Sequence, residues 1–264
     1  MRIAVSGKGG VGKTTIAGCL ARLMARCGQK VVAIDADPDA NLAYVLGVPP
    51  EKRAKITPLS QMLDLIEERT GMRPGSQGGL YCLNPKVDDI LDRYGVQATD
   101  GVQLLVLGGL QTPGTGCFCP ENALLKALLR HLVLQKDQHL VLDLEAGIEH
   151  LARGTAEKMD VMLVVVEPGI RSIETAIKIK NLAKQLGVKR IMAVLNKMRN
   201  KKDIKLVENK LLEAGIPPTC TIPYEEGLVE ADLGDKQPEI LKLEIAKRLE
   251  QLKNRLFREH LGPG

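Results

Sequence analysis

The chain has 264 residues, enough to bury one large core. With 44% hydrophobic and 26% charged residues it reads as a globular protein, and its formal net charge of +5 is mild. Aromatic residues make up 2% and Trp is absent, which argues against a single-stranded nucleic-acid binder built on stacking platforms.

The opening run, MRIAVSGKGG, is too short an apolar stretch for a signal peptide and leads straight into a motif. No stretch of roughly 18 apolar residues follows, so no membrane span is expected. A cytoplasmic address is expected, where thiols stay reduced. The six cysteines are then not a disulfide framework. Cys19 and Cys27 on an amphipathic helix, and Cys220 in an apolar strand, read as small core residues.

Apolar, β-rich runs recur in order: RIAVS, KVVAID, VQLLVLG, HLVLDL, VMLVVVE, RIMAVLN and CTIP. Helical patterns fill the gaps near 13–27, 120–135, 171–186, 203–214 and 238–258. Strands apolar on both faces that alternate with helices predict an α/β fold, a doubly wound, mostly parallel sheet covered on both sides. One domain is expected over 1–264, with a less regular insertion at about 48–101 lying over one sheet edge. Helical pieces near 58–69 and 84–94 flank a Gly-rich turn there. The basic run NKMRNKKDIK reads as a solvated helix face. No nucleic-acid or membrane partner is expected.

GKGGVGKTT, Gly7 to Thr15, matches the P-loop pattern between a strand and a helix, the context the motif requires. Gly7, Gly9, Gly10, Val11 and Gly12 let successive backbone N–H groups turn inward around phosphates, and the helix N-terminus adds its dipole. Lys13 is expected at the β/γ-phosphates, Thr14 on Mg²⁺ and Thr15 at the α-phosphate of ATP.

Lys8 is not needed by that pattern. KGGVGKT resembles the deviant P-loop of the ParA/MinD/nitrogenase-iron-protein class of ATPases. The resemblance implies that Lys8 crosses a homodimer interface to the partner's nucleotide. It makes IDADPDAN a switch I, with Asp37 orienting the attacking water, and LVLDLEAGIE a Walker B strand running into switch II, with Asp143 holding Mg²⁺ through water. Asp35, at the end of its strand, would support Mg²⁺ or its waters. Asn196, in LNK, would contact adenine. Asp35, Asp37 and Asp143 all end apolar strands, where the ligands of doubly wound sheets bind.

Cys117 and Cys119, in GCFCPEN, precede a helix that Pro120 opens. A helix N-terminus stabilises thiolate, the form that binds metal. Two thiolates are too few for a tetrahedral site. Two from each subunit of the implied dimer would make a Cys₄ set suited to Zn²⁺ or Ni²⁺. Together GKGGVGKTT, DADPDANLA, GCFCPEN, DLEAGIEHLARGT and VVEPGIRSIETA look like the CooC-type ATPases. That resemblance implies ATP-dependent nickel delivery to carbon monoxide dehydrogenase or, in a close branch, to acetyl-CoA synthase. His150 reads as structural rather than as a transient nickel ligand. Two other readings stay open: an iron–sulfur reductase like the nitrogenase iron protein, and a MinD/ParA-like positioning ATPase. The latter draws on the basic, amphipathic C-terminal segment with Leu249, Leu252 and Leu256, although packing on its own domain is the favoured fate of that helix.

Overall fold

The computed structural model of the chain describes residues 1–76, 79–108, 120–146, 153–233 and 240–261. Its strands are β1 (Arg2–Gly7), β2 (Val31–Ala36), β3 (Val96–Gln97), β4 (Gln103–Val106), β5 (His139–Leu144), β6 (Val161–Val166), β7 (Ile191–Met198) and β8 (Pro218–Pro223). The helices are α1 (Lys13–Arg26), α2 (Leu42–Val45), α3 (Pro50–Arg53), α4 (Leu63–Thr70), α5 (Ile90–Tyr94), α6 (Pro120–Leu134), α7 (Arg153–Ala156), α8 (Ile170–Gln185), α9 (Lys201–Glu213), α10 (Glu226–Leu233) and α11 (Glu244–Leu261).

Among the described residues the strands form one sheet in the order β3-β4-β2-β5-β1-β6-β7-β8. All neighbours are parallel except β3, which pairs antiparallel with β4 at the edge. The order reverses at β1, so its carboxyl end opens at a topological switch point. Strands β2 and β6 are buried along their whole length, the pattern of a sheet covered twice. One face packs on α4, α6, α8 and α9 through residues such as Ile66, Leu128, Ile179 and Leu211. The other packs on α1, α2 and α11 through Ile16, Leu20, Leu42 and Leu249. This is the doubly wound, mostly parallel α/β sheet covered on both faces that the sequence pattern predicts.

The seven predicted strands are all present. The two-residue β3 is an addition, too short to leave a pattern. The interval 48–101 contributes α3, α4, α5 and that edge strand. The helix expected over 238–258 begins at Glu244, after a 3₁₀ turn at Ile240–Lys242, and runs to Leu261. Its Leu249, Leu252 and Leu256 are buried against α1 and β8, so this apolar stripe is spent inside the fold. Among the described residues no helix is long and apolar enough to cross a membrane.

Two cysteines differ from expectation. Cys19 is fully buried, but Cys27 is exposed because α1 stops at Arg26 and Cys27 falls on its C-cap, off the buried face. Cys220 is half-buried because β8 is an edge strand.

Candidate nucleotide site

Strand β1 delivers Gly7 to the carboxyl edge of the sheet, and the P-loop turns there into α1. Gly7 pairs with Val165 of β6, and a Cβ on it would meet the Val165 carbonyl oxygen at 2.6 Å. Gly12 is the N-cap of α1 with φ 93°, and a Cβ there would lie 2.4 Å from Asn196 Nδ2. Both positions therefore exclude any side chain, one by backbone proximity and the other also by its left-handed conformation. Gly9 and Gly10 are exposed at the rim.

The loop opens on a cleft of about 570 Å³, within the ordinary range for a bound small molecule. Gly9, Gly10, Gly12, Lys13, Thr14 and Thr15 line one side of it. Asp37, Asn41, Glu145, Asn196, Lys197 and Tyr224 also line it. Sequence reasoning missed Asn41, Glu145, Lys197 and Tyr224. Lys197 could have been found, since it follows Asn196 at the same strand end. Tyr224 lies just past β8, which carried no motif, and Arg199 sits over its ring at 3.9 Å from the centroid.

Lys13 is buried, and its ammonium lies 3.6 Å from Asp37 Oδ2. Asp35 and Asp143 are register neighbours at the ends of β2 and β5, and both are fully buried. Asp35 accepts from the Asp37 backbone N–H at 3.2 Å and from that of Leu42 at 2.9 Å, so it organises the loop that carries Asp37. Burial pushes the Asp35 carboxyl up to about 6, against the pull of those two amides. Asp143 is treated more severely. Among the described residues neither of its oxygens has a hydrogen bond of normal geometry, and burial pushes it up to about 7 although the Thr14 hydroxyl and Lys13 draw it down.

An orphaned, buried carboxylate beside a hydroxyl is a donor set that suits a hard divalent cation such as Mg²⁺. Asp143 and Thr14 would hold it. Asp35 has both oxygens engaged by backbone amides, which places it behind these two, as a support.

Asn196 is buried, and its amide donates to the Val11 carbonyl at 2.8 Å. This ties the end of β7 to the P-loop, and the residue lines the cleft. Lys8 lies at the rim, 3.6 Å from Glu167 Oε1. Cys117, Cys119 and His150 lie outside the described residues. Among the described residues no group of three or more His, Cys, Asp or Glu side chains is placed to hold a metal ion.

The model of the CobQ/CobB/MinD/ParA nucleotide binding domain matches residues 3–238. The chain is 44% identical over 232 residues to the carbon monoxide dehydrogenase accessory protein CooC of Rhodospirillum rubrum, covering 88% of this chain and 87% of that one. It is 42% identical over 258 residues to an uncharacterised ATP-binding protein of Methanocaldococcus jannaschii, covering 98% of each. Among solved structures it superimposes on the MinD cell division protein of Aquifex aeolicus with a TM-score of 0.66 at 21% identity, covering 97% and 96% of the two chains. MinD of Pyrococcus horikoshii, complexed with Mg-ADP, gives a TM-score of 0.66 at 19% identity over 98% of each chain. These last two likenesses speak for the fold.

Proposed function

From the premise that the chain belongs to the CobQ/CobB/MinD/ParA nucleotide-binding family and is an ATPase of it, we propose that it works as a Mg-ATP-dependent homodimer delivering nickel to a carbon monoxide dehydrogenase or acetyl-CoA synthase site. The observation that carries this reading is the 44% identity, over 88% of the chain, to an accessory protein of carbon monoxide dehydrogenase. The chain acts as one ATPase unit over 1–264, with 48–101 as an edge insertion.

The cleft supports a definite division of labour. Lys13 and Asp37 lie 3.6 Å apart. The β/γ-phosphates of ATP take the Lys13 ammonium, and Asp37 is released to accept a hydrogen bond from the attacking water. Asp35 keeps Asp37 in place by holding the backbone N–H groups of Asp37 and Leu42. Asp143 and Thr14 would hold Mg²⁺, which when bound would supply charge stabilisation to the phosphoryl oxygens. The loop amides of Gly7, Gly9, Gly10, Val11 and Gly12 cradle the phosphates, Thr15 meets the α-phosphate, and Asn196 contacts the base. Lys8 reaches the partner's nucleotide, so hydrolysis waits on dimer closure.

Nickel is cargo in this scheme. Cys117 and Cys119 of each chain supply four thiolates on the two-fold axis, a set that Zn²⁺ can also fill. ATP closes the dimer and changes the spacing of the two Cys pairs, and hydrolysis reverses it. A Ni²⁺ titration of wild type and the Cys117→Ser/Cys119→Ser protein tests this, followed by thiolate-to-nickel absorbance and by light scattering. About one ion per two chains is expected for wild type, with sharply weaker binding in the variant. Equal binding by both proteins, or one ion per wild-type monomer without dimerisation, would sink the shared site.

A further inference from the structure

Strand β6 lies between β1 and β7. Its carboxyl end therefore sits between the loop that carries Lys8 and the strand end that carries Lys197. The residue placed there is Glu167. Its backbone N–H donates to the buried Ser172 hydroxyl at 3.1 Å, which fixes the turn into α8. Its carboxylate faces both lysines, with Lys8 Nζ 3.6 Å from Oε1 and Lys197 Nζ 3.6 Å from Oε2.

The two lysines are not equivalent. Lys197 is anchored, because its ammonium also donates to the Gly10 carbonyl at 2.6 Å. Its backbone has φ 58°, a left-handed conformation that a residue with a side chain disfavours. Surrounding structure must hold it there, so its position is over-determined. The two side chains are about equally exposed, 41% for Lys8 and 40% for Lys197, so what separates them is the Gly10 anchor and the constrained backbone of Lys197.

We propose that Glu167 is a positioning residue that folds Lys8 back onto its own chain, a latch that dimerisation must open, with Lys197 as the second cation that makes opening cheap. This rests on the reading of Lys8 as the residue that reaches a partner's nucleotide. Glu167 and the partner's phosphates then compete for one ammonium. When Lys8 leaves, Lys197 still neutralises Glu167, so no carboxylate is stranded. The multiply charged triphosphate wins that competition. Once the γ-phosphate is lost the balance returns toward Glu167, which favours separation of the chains. A carboxylate shared by two cations is thus a switch with little energy between its positions.

A half-exposed pair of this kind shifts an equilibrium about 1.5- to 5-fold. Two are opened per dimer, so removing the latch should tighten the ATP-bound dimer about 2- to 25-fold. The test uses the full chain with Mg-ATP and no added transition metal, with dimer dissociation constants from sedimentation equilibrium. Glu167→Gln should dimerise more tightly than wild type, Lys8→Ala more weakly, and the double variant should match Lys8→Ala. If Lys8→Ala is impaired while Glu167→Gln is unchanged or weaker, the latch is wrong and the trans-lysine reading stands. Should Lys8→Ala dimerise like wild type, the trans-lysine reading fails and the latch with it. A second readout needs no dimer. Acylation of Lys8 in the nucleotide-free monomer, followed by mass spectrometry, should be about 1.5- to 5-fold faster in Glu167→Gln. An unchanged rate overturns the latch.

Discussion

The two ends of the sheet treat buried charge in opposite ways. At the amino ends of the strands, charges are spent in pairs. Arg2 donates through Nη2 to the Gln135 carbonyl at 3.1 Å and through Nε to that of Val133, while Asp160 accepts the Arg2 backbone N–H at 2.7 Å. His139 bonds Gln29 at 2.6 Å and meets the Phe257 ring edge-on. At the carboxyl ends, two buried carboxylates lie side by side, and Asp143 has no hydrogen bond of normal geometry among the described residues. The first arrangement holds the fold together. The second is a cost that, in the proposed scheme, a bound cation and phosphates would relieve. Similar polar residues on the same strands therefore do different work according to which end they occupy.

The comparison breaks most visibly at Asp37. Asp37→Ala should bind Mg-ATP and yet lose on the order of 100-fold or more in hydrolysis, the usual scale for removing a group that positions a reacting proton. Single-turnover hydrolysis measures this directly, and an unchanged rate would show that another residue orients the water. Binding itself should survive, since Lys13 and the loop amides remain.

Asp143→Asn sharpens the contrast in stability. Removing a carboxylate that burial raises to about 7 should make the nucleotide-free protein more stable, by roughly 5 °C in Tm, while Mg²⁺-dependent hydrolysis falls. A lower Tm would mean that the carboxylate is satisfied in solution. At the other end the sign is reversed. Arg2→Ala should lower Tm by about 4 °C by removing the guanidinium bonds to the Val133 and Gln135 carbonyls and the ion pair with Asp160, and leave hydrolysis per folded molecule unchanged. Thermal melts of both variants, each with and without Mg-ATP, set the two ends against each other.

Much of this was legible in the sequence because the relevant signals are local. Seven apolar runs became seven strands, since strands buried on both faces leave continuous apolar stretches. The P-loop was legible because its glycines answer to geometry, as the approach of Asn196 to Gly12 shows. What could not be read depends on distant parts meeting. That Asp35 serves the backbone of Asp37 and Leu42 needs the loop's path. Helix α10 carries neither a strong apolar stripe nor an N-terminal capping signal. Glu167 was within reach, for it ends an apolar strand at the same edge as Asp143. Its meaning came only from the strand order, which puts β6 between β1 and β7.

The smallest effect expected is a proton. Burial holds Asp143 near 7 and Asp35 near 6, above the ordinary value of 3.8 for both. Between about pH 4 and pH 7 the folded, ligand-free chain binds more protons than the unfolded one, so these groups stabilise the fold at low pH and that contribution is lost as pH rises through 6 to 7. In the proposed scheme Mg²⁺ takes the Asp143 carboxylate, so its binding would expel the proton that group carries. At pH 7 about half a proton per chain should be released, more at pH 6 and almost none at pH 8.5, with Mg²⁺ affinity rising over the same interval. Calorimetry of Mg-ATP binding in two buffers of different ionisation enthalpy counts these protons. The nucleotide's own protons appear equally with wild type and Asp143→Asn, so the difference between the two proteins isolates the carboxylate. A difference of zero at pH 6 would mean that Asp143 is already ionised before the cation arrives, and the contrast between the two ends of the sheet would lose its electrostatic half.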